Sequence, residues 1–210
     1  MKKISILSVL ALLVFSFPSL HAQIINKGNI ILGSTFAFSN STASFGYSNS
    51  NANISPRIGY AVGSNSVLYV RLGAGFSKTH PSTLDATSKY SNLSAGVSWK
   101  KFSSVNEKLG WYTDAYAVIG AATSRTTYAP SNPNPSYKSN STSYSAGINP
   151  GIYFMATPRL IISADFGGLG YIYQISKYTG QSDTHSSSFN INLLNYFGFG
   201  VDFIIAGKKS

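Results

Sequence analysis

Two groups of side chains in this sequence have the residue types of a functional site. The first comprises two arginines and two aspartates on segments that otherwise alternate small and apolar residues: Arg57, Arg71, Asp114 and Asp165. The arginines are about equally far from a short turn, so they should be neighbours on antiparallel strands. Buried charges are tolerated only when paired, and the two aspartates are the anions available at similar depth. We predict a structural charge cluster, with a gated ion path as the functional alternative.

The second group is a serine, a histidine and an aspartate in one polar segment, Asp183, His185 and Ser186, with His80 in another. Such a trio can act as a hydrolytic triad, but a triad is defined by geometry, so we expect solvated surface residues. The chain has no cysteine, no metal-ligand spacing and no phosphate-binding or dinucleotide fingerprint. We therefore predict no catalytic residue, no cofactor and no metal.

The charge content is unusual for a soluble protein. The chain carries 16 basic and 6 acidic residues, a formal net charge of +10. A basic balance can indicate nucleic-acid binding, but these charges are scattered and form no stripe, so we expect no nucleic-acid partner. Charged residues make up only 10% of the chain, whereas about 25% is usual in soluble proteins.

The sequence predicts that these side chains lie on β-strands. Side chains on a strand point to opposite faces with a period of two, and this period extends through almost the whole chain. Eight segments follow it: Lys27–Phe38, Asn53–Val62, Val67–Ser77, Tyr90–Phe102, Trp111–Thr123, Ser141–Met155, Arg159–Tyr173 and about Ser187 to Phe203. In the seventh, the alternation changes parity at Gly167-Gly168, which predicts a glycine bulge.

The last segment shows the pattern most clearly. Large residues alternate with Gly198, Gly200 and Asp202, and we predict that they face lipid: Phe197, Phe199, Val201 and Phe203. Asp202 should then point into the lumen at its periplasmic end. The strand should pair with both the seventh and the first strand, because closure leaves no edge.

The connections alternate in length. Long polar segments, predicted to be outer loops, follow the odd strands: Ser39–Ala52, Lys78–Lys89, Ser124–Asn140 and Gln174–Ser186. Short links follow the even strands: Gly63–Ser66, Ser103–Gly110 and Ala156–Pro158. An antiparallel membrane barrel with short periplasmic turns and long outer loops has this arrangement. We predict an all-β, eight-stranded, antiparallel, up-and-down transmembrane barrel.

The N-terminus predicts export. Lys2 and Lys3 precede an apolar run from Ile4 to Phe17, and Ala22 provides a small residue for cleavage before Gln23. The rival interpretation is a membrane anchor, but the run is short for one. We expect a signal peptide over residues 1–22 and one barrel domain over residues 23–210.

A membrane barrel and a soluble barrel differ in which face points outward. In lipid every backbone polar group must be paired internally, so a sheet must close. The predicted charges fall on the less apolar faces, so a soluble ligand-binding barrel would bury them and expose large apolar side chains to water. Because an eight-stranded interior is just wide enough to be filled by side chains, we predict no open pore.

The chain resembles the small eight-stranded outer-membrane barrels of the outer membrane protein beta-barrel domain type. The resemblance covers essentially the whole mature chain and rests on the Ala22/Gln23 junction, the segment Ser55–Tyr60 before a turn, and the aromatic-alternating last strand. It implies a porin-like protein of a Gram-negative type envelope, located in the cell outer membrane. It also implies that the barrel-assembly machinery recognises the last strand, which ends at Phe203 by pattern or at Ile205 if it continues.

The function that we expect is a structural or surface-interaction role through the four long outer loops, without catalysis. The loops carry five basic residues against two acidic ones (Lys78, Lys89, Arg125, Lys138 and Lys177; Asp85 and Asp183). Contact with outer-membrane lipid and lipopolysaccharide and a monomeric state are the corresponding expectations; the loop partner stays open. Some barrels that this chain resembles are lipid A-modifying enzymes that use serine and histidine, which is the main alternative function.

Overall fold

The structure, a computed structural model, describes residues 25–43, 47–80, 86–128, 136–178 and 182–205. Within these ranges it describes the backbone alone at positions 40–43, 47, 178 and 192–197. The predicted signal peptide over residues 1–22 lies outside the described residues, as does the tail after Ile205.

The described strands form one closed barrel in which each strand pairs with its two neighbours. Their bounds are β1 Ile30–Ala43, β2 Tyr47–Gly63, β3 Ser66–His80, β4 Ala86–Ser104, β5 Leu109–Tyr128, β6 Tyr137–Thr157, β7 Leu160–Tyr178 and β8 Thr184–Ile205. All pairings are antiparallel, and β8 closes the barrel by pairing with both β7 and β1. The predicted fold class is confirmed, and the last strand continues to Ile205.

The alternating sequence places apolar side chains outside and small or polar ones inside. On β3, Leu68, Val70, Leu72 and Phe76 are exposed on the outer surface, whereas Tyr69 is fully buried in the lumen. This apolar band matches the roughly 9–11 tilted residues that cross the hydrocarbon. The outward apolar face contradicts the alternative of a soluble ligand-binding barrel, which requires the opposite orientation.

The last strand follows the same rule. Phe199, Val201 and Phe203 are exposed on the outer surface, and Asp202 is fully buried inside. The side chain of Phe197 lies outside the description. Among the described residues, no helix is long and apolar enough to cross a membrane.

The two ends of the barrel differ in their connections. Three short turns join the strands at one end, called the turn end below: residues 64–65, 105–108 and 158–159. In the first of them, Asn65 adopts a positive φ of 56°, which Asn tolerates better than most residues. The paired strand ends Ile30 and Ile205 lie at this same end. The opposite end, where the other four connections occur, is called the hairpin end.

The predicted long loops at the hairpin end are largely strand, which corrects the sequence interpretation. β5 continues to Tyr128 and β6 begins at Tyr137, so residues 124–128 and 137–140 of the segment Ser124–Asn140 are paired sheet. The reason is that ladder hydrogen bonds join backbone groups and do not need apolar side chains. Apolar alternation stops where the membrane band ends, but pairing continues beyond it.

The predicted glycine bulge is present in β7. The register with β6 shifts between Ile148 and Gly151, where residues 166–168 of β7 lie opposite two residues of β6, and Gly167 has a φ of +83°. A residue with this conformation is typical of a bulge with glycine at its first position. The bulge explains why the outward residues change parity, from Ile162 before it to Leu169 after it.

Candidate functional site: the barrel lumen

An apolar layer fills the lumen at the turn end. Its members are fully or almost fully buried and come from most of the strands: Ile25, Ile31, Ala61, Val67, Phe102, Tyr153, Met155, Ile161 and Ile204. Ile25 precedes β1 and is held there by Asn65, whose side-chain oxygen accepts a 3.0 Å hydrogen bond from the Ile25 amide. The segment before β1 therefore packs against the base of the lumen.

A buried ion pair lies next to this layer. The Arg57 guanidinium donates two hydrogen bonds to the Asp202 carboxylate, from Nε to Oδ1 at 2.8 Å and from Nη2 to Oδ2 at 2.7 Å. Arg57 and Asp202 both lie opposite Gly33, one on each side of β1. Because Gly33 has no side chain, the guanidinium can reach across β1 to the carboxylate. Such a bidentate pair is strong and geometrically specific.

Lys100 adds a second cation to the same layer. Its side chain is fully buried, and its Nζ lies 3.9 Å from Asp202 Oδ2. The ammonium also lies 4.1 Å from the centroid of the Tyr112 ring, a distance at which the ring face attracts a cation. In the strand register Lys100 is directly opposite Asp114, so a second carboxylate is close by.

Two tyrosines repeat the arrangement seen at Gly33. Tyr112 on β5 donates a hydrogen bond across Gly151 to Asp165 on β7. Tyr153 on β6 reaches across a glycine of β5 to the hydroxyl of Ser104 on β4, at 3.3 Å. In each case an inward glycine leaves room for a long polar side chain to bridge the strands on either side.

Above this polar layer the lumen is open and lined by small polar groups. Arg71 marks its floor, 3.9 Å from Asp114 through Nη1 and Oδ2 and with its guanidinium carbon 5.8 Å from the Tyr116 ring centroid. The cavity above has a volume of about 290 Å³. We call it the vestibule; its lining includes Asn92, Ser94, Tyr116, Ser143, Ser145 and Asn149.

The predicted charge cluster is brought together only in part. Arg57 and Arg71 are directly opposite each other on β2 and β3, and Asp114 is close to Arg71. Arg57, however, pairs with Asp202, and Asp165 accepts its hydrogen bond from Tyr112. Arg57 pairs with Asp202 because the two residues lie level across Gly33. Asp165 instead lies level with Tyr112 across Gly151.

Lys100 is the lumen residue that the sequence interpretation missed. It has the same parity as Gly96 and Ser98, which was the available signal, but it stands near the end of β4 beside the exposed Lys101. With Lys100 included, the described lumen holds three cations and three carboxylates (Arg57, Arg71 and Lys100; Asp114, Asp165 and Asp202), so the formal charges balance.

The serine, histidine and aspartate trio does not assemble. His185 Nδ1 shares a 2.9 Å hydrogen bond with the Tyr173 hydroxyl, and Asp183 pairs with Lys177 at 3.3 Å. His80 Nδ1 lies 3.1 Å from the hydroxyl of Thr87. In the part of the chain that the structure describes, no group of His, Cys, Asp or Glu residues is arranged to hold a metal ion.

The fold is similar to that of two solved neisserial structures. Neisserial surface protein A (NspA) gives a TM-score of 0.50 at 16% sequence identity, covering 83% of this chain and 96% of that one. The translocator domain of the autotransporter NalP from Neisseria meningitidis gives 0.52 at 14% identity, covering 77% of this chain and 58% of that one. No family model and no curated protein match the chain. The chain has the fold of small outer-membrane β-barrel proteins, and this fold with its outward apolar band places it in the outer membrane, as predicted.

Proposed function

We propose that this outer-membrane β-barrel is a non-conducting protein that presents its polar hairpins to the cell exterior as a surface for interaction. The turn end, where Ile30 pairs with Ile205, faces the periplasm, and the hairpin end faces outward, as in barrels with short periplasmic connections. The function lies in a rigid scaffold and its exposed hairpins, and no side chain of the lumen acts as a catalyst.

The observation that carries this proposal is the pair of filled layers at the turn end. The apolar layer and the Arg57–Asp202 layer consist of side chains that are almost completely buried. A permeating ion would have to separate a bidentate ion pair in a low-dielectric setting, where leaving one charge unpaired is costly. The vestibule is therefore open only toward the hairpin end, and ions that enter it do not cross the barrel.

The hairpins supply the surface. β4, β5 and β6 continue for several residues beyond the apolar band, and their ends are rich in Ser, Thr, Asn and Tyr. Aromatic and small polar side chains together provide rigid contact area and adaptable hydrogen bonding. Because paired strands are stiffer than loops, a partner would meet a preorganised surface and lose less conformational freedom on binding.

Conductance in planar lipid bilayers tests the proposal. The mature chain, residues 23–210, should insert without producing stable conductance steps, and so should a variant of the exposed pair Lys177–Asp183, Lys177→Ala/Asp183→Ala. Reproducible steps from the wild-type protein would overturn the proposal, and larger steps when Arg57 is changed to Ala would establish an ion path gated by the Arg57–Asp202 pair.

Processing and catalysis form part of the same proposal. We expect cleavage after Ala22, insertion by the barrel-assembly machinery through β8, and a monomeric barrel. N-terminal sequencing of the protein purified from outer membranes should begin at Gln23. Mass spectrometry of lipid A from cells with and without the protein should show the same acylation; any change would favour the enzyme alternative.

A further inference from the structure

Four basic side chains form a row across the outer surface of the barrel near the hairpin end. The strand register places Lys78 of β3 opposite Lys89 of β4, Lys89 opposite Arg125 of β5, and Arg125 opposite Lys138 of β6. All four have the parity of the outward residues and are exposed. We call them the cationic row; with strands roughly 4.8 Å apart, the row spans about 14 Å.

The cationic row lacks matching acids. Like charges directly opposite each other on antiparallel strands are destabilising, and among the described residues none of the four forms an ion pair. Asp183, at the same end of the barrel, is paired with Lys177 at 3.3 Å. Asp85 belongs to the connection between β3 and β4, outside the description, and one carboxylate would leave three of the four cations uncompensated.

The cationic row marks the boundary of the apolar band toward the hairpin end. On β3 the outward residues are apolar from Leu68 to Phe76, and Lys78 is the first outward charge after them. On β4 the outward residues between Trp99 and Lys89 carry no charge. The cations therefore lie at the depth where the headgroups of the outer leaflet begin.

An apolar groove lies directly beneath the cations. It has a volume of about 590 Å³, and Phe38, Ala52 and Phe76 form walls of it, while Lys78, Lys89 and Arg125 line its edge. A second groove of about 530 Å³ shares Phe76 and adds Leu93, Ala121 and Ile175. Small outward residues such as Ala52 and Ala121 produce these hollows between larger neighbours.

We propose that the cationic row and its grooves bind a phosphorylated glycolipid of the outer leaflet, of the lipid A type. Phosphate groups would accept charge-assisted hydrogen bonds from the cations, and acyl chains would lie in the grooves below. A molecule with anionic groups directly above several acyl chains matches both features, because Lys78, Lys89 and Arg125 line the edge of the apolar groove. This inference rests on the proposed orientation, with the hairpins outside the cell.

Lipid retention by the full mature barrel tests the inference. The protein is transferred into neutral detergent, and native mass spectrometry then measures its binding of added diphosphorylated lipid A. Two lipid probes differ in one feature each: dephosphorylated lipid A keeps the acyl chains, and inorganic phosphate keeps the anion. The variant Lys78→Gln/Lys89→Gln/Arg125→Gln is compared with Lys27→Gln/Lys101→Gln/Lys108→Gln, which removes the same charge at the turn end. Heat-dependent gel mobility confirms that each variant forms a barrel.

The expected result is a loss of affinity for diphosphorylated lipid A of roughly tenfold or more in the cationic-row variant, with little change in the turn-end variant. Dephosphorylated lipid A and inorganic phosphate should each bind the wild type more weakly. An equal loss in the turn-end variant would mean nonspecific charge attraction and overturn the inference, as would equal binding of either single-feature probe. The lipid-binding experiment does not measure conductance, and a pore-forming barrel could also bind lipid. Failure of the lipid-binding inference is therefore distinguishable from failure of the proposed non-conducting function.

Discussion

The two halves of the lumen differ in how far side chains fill them. Toward the turn end, long side chains cross inward glycines and fill the interior, as Arg57 does over Gly33. Toward the hairpin end, the inward residues are mostly Ser, Asn and Gly, and they leave the vestibule of about 290 Å³. The same eight strands form both halves, with register shifts only at the β7 bulge among the described strand pairs between them, so the main difference lies in inward side-chain size.

The filled half should contribute more to the stability of the barrel, and the vestibule should tolerate more substitutions. In the filled half each glycine and its bridging residue depend on each other, and the charges balance only as a set. In the vestibule each hydroxyl or amide can be solvated from the open end, so its loss leaves little buried and unpaired. Variants in the two halves should therefore have very different effects on the free energy of unfolding.

The largest effect should follow from Asp202→Asn. The amide keeps the shape but leaves Arg57 and Lys100 without their carboxylate, and breaking a buried pair in this way costs about 3–5 kcal/mol. Urea titration of the barrel in lipid vesicles, followed by the fluorescence of Trp99 and Trp111, gives the free energy of unfolding. The exposed counterpart Asp183→Asn should cost only about 0–1 kcal/mol. Similar losses in both variants would remove the distinction between buried and exposed pairs.

Gly33→Ala tests the bridging geometry without removing a charge. An added Cβ would overlap the Asp202 carboxylate and lie 2.8 Å from the carbonyl oxygen of Val201, so the pair must shift. We expect a loss of about 1–3 kcal/mol in the same titration. Gly63→Ala is the matched control, because the nearest neighbour of its added Cβ would be the Ser66 Cβ at 3.8 Å. A loss at Gly63 as large as that at Gly33 would contradict the bridging explanation.

The smallest effect should come from the vestibule. Ser143→Val adds apolar bulk where the cavity has room, and the change in unfolding free energy should stay within about 0.5 kcal/mol. Ser163→Val makes the same exchange in the filled half, where Ser163 is only 3% exposed, and should cost about 1–3 kcal/mol. If the two variants behaved alike, the halves would not differ in packing.

The outer half of each hairpin shows what an apolar pattern cannot predict. The eight strands, their order and their inward faces follow from the period of two, because lipid requires an apolar outer face at every second residue. Beyond the membrane that requirement ends, and a polar segment such as Ser124–Asn140 has the composition of a loop. Only cross-strand pairing, which joins Arg125 to Lys138, keeps its described parts, residues 124–128 and 137–140, in the sheet.

Ion-pair partners were harder to predict than faces. Alternation placed Arg57, Arg71, Asp114, Asp165 and Asp202 inside the barrel. Which carboxylate meets Arg57 depends on the register of β1 with both β2 and β8, and on the absence of a side chain at Gly33. That register couples positions 145 residues apart, and no local pattern contains it.

The Arg57–Asp202 pair also has a consequence for the order of events in folding. It joins β2 to the last strand across β1, so it cannot form until β8 has paired with β1. An open sheet of seven strands would therefore gain nothing from it, and neutralisation of Arg57 coincides with closure. Contacts absent from the transition state affect mainly the unfolding rate, so Asp202→Asn should speed barrel opening in stopped-flow experiments while refolding proceeds at nearly the wild-type rate. The pair therefore stabilises the closed barrel against unfolding and forms too late to speed its folding.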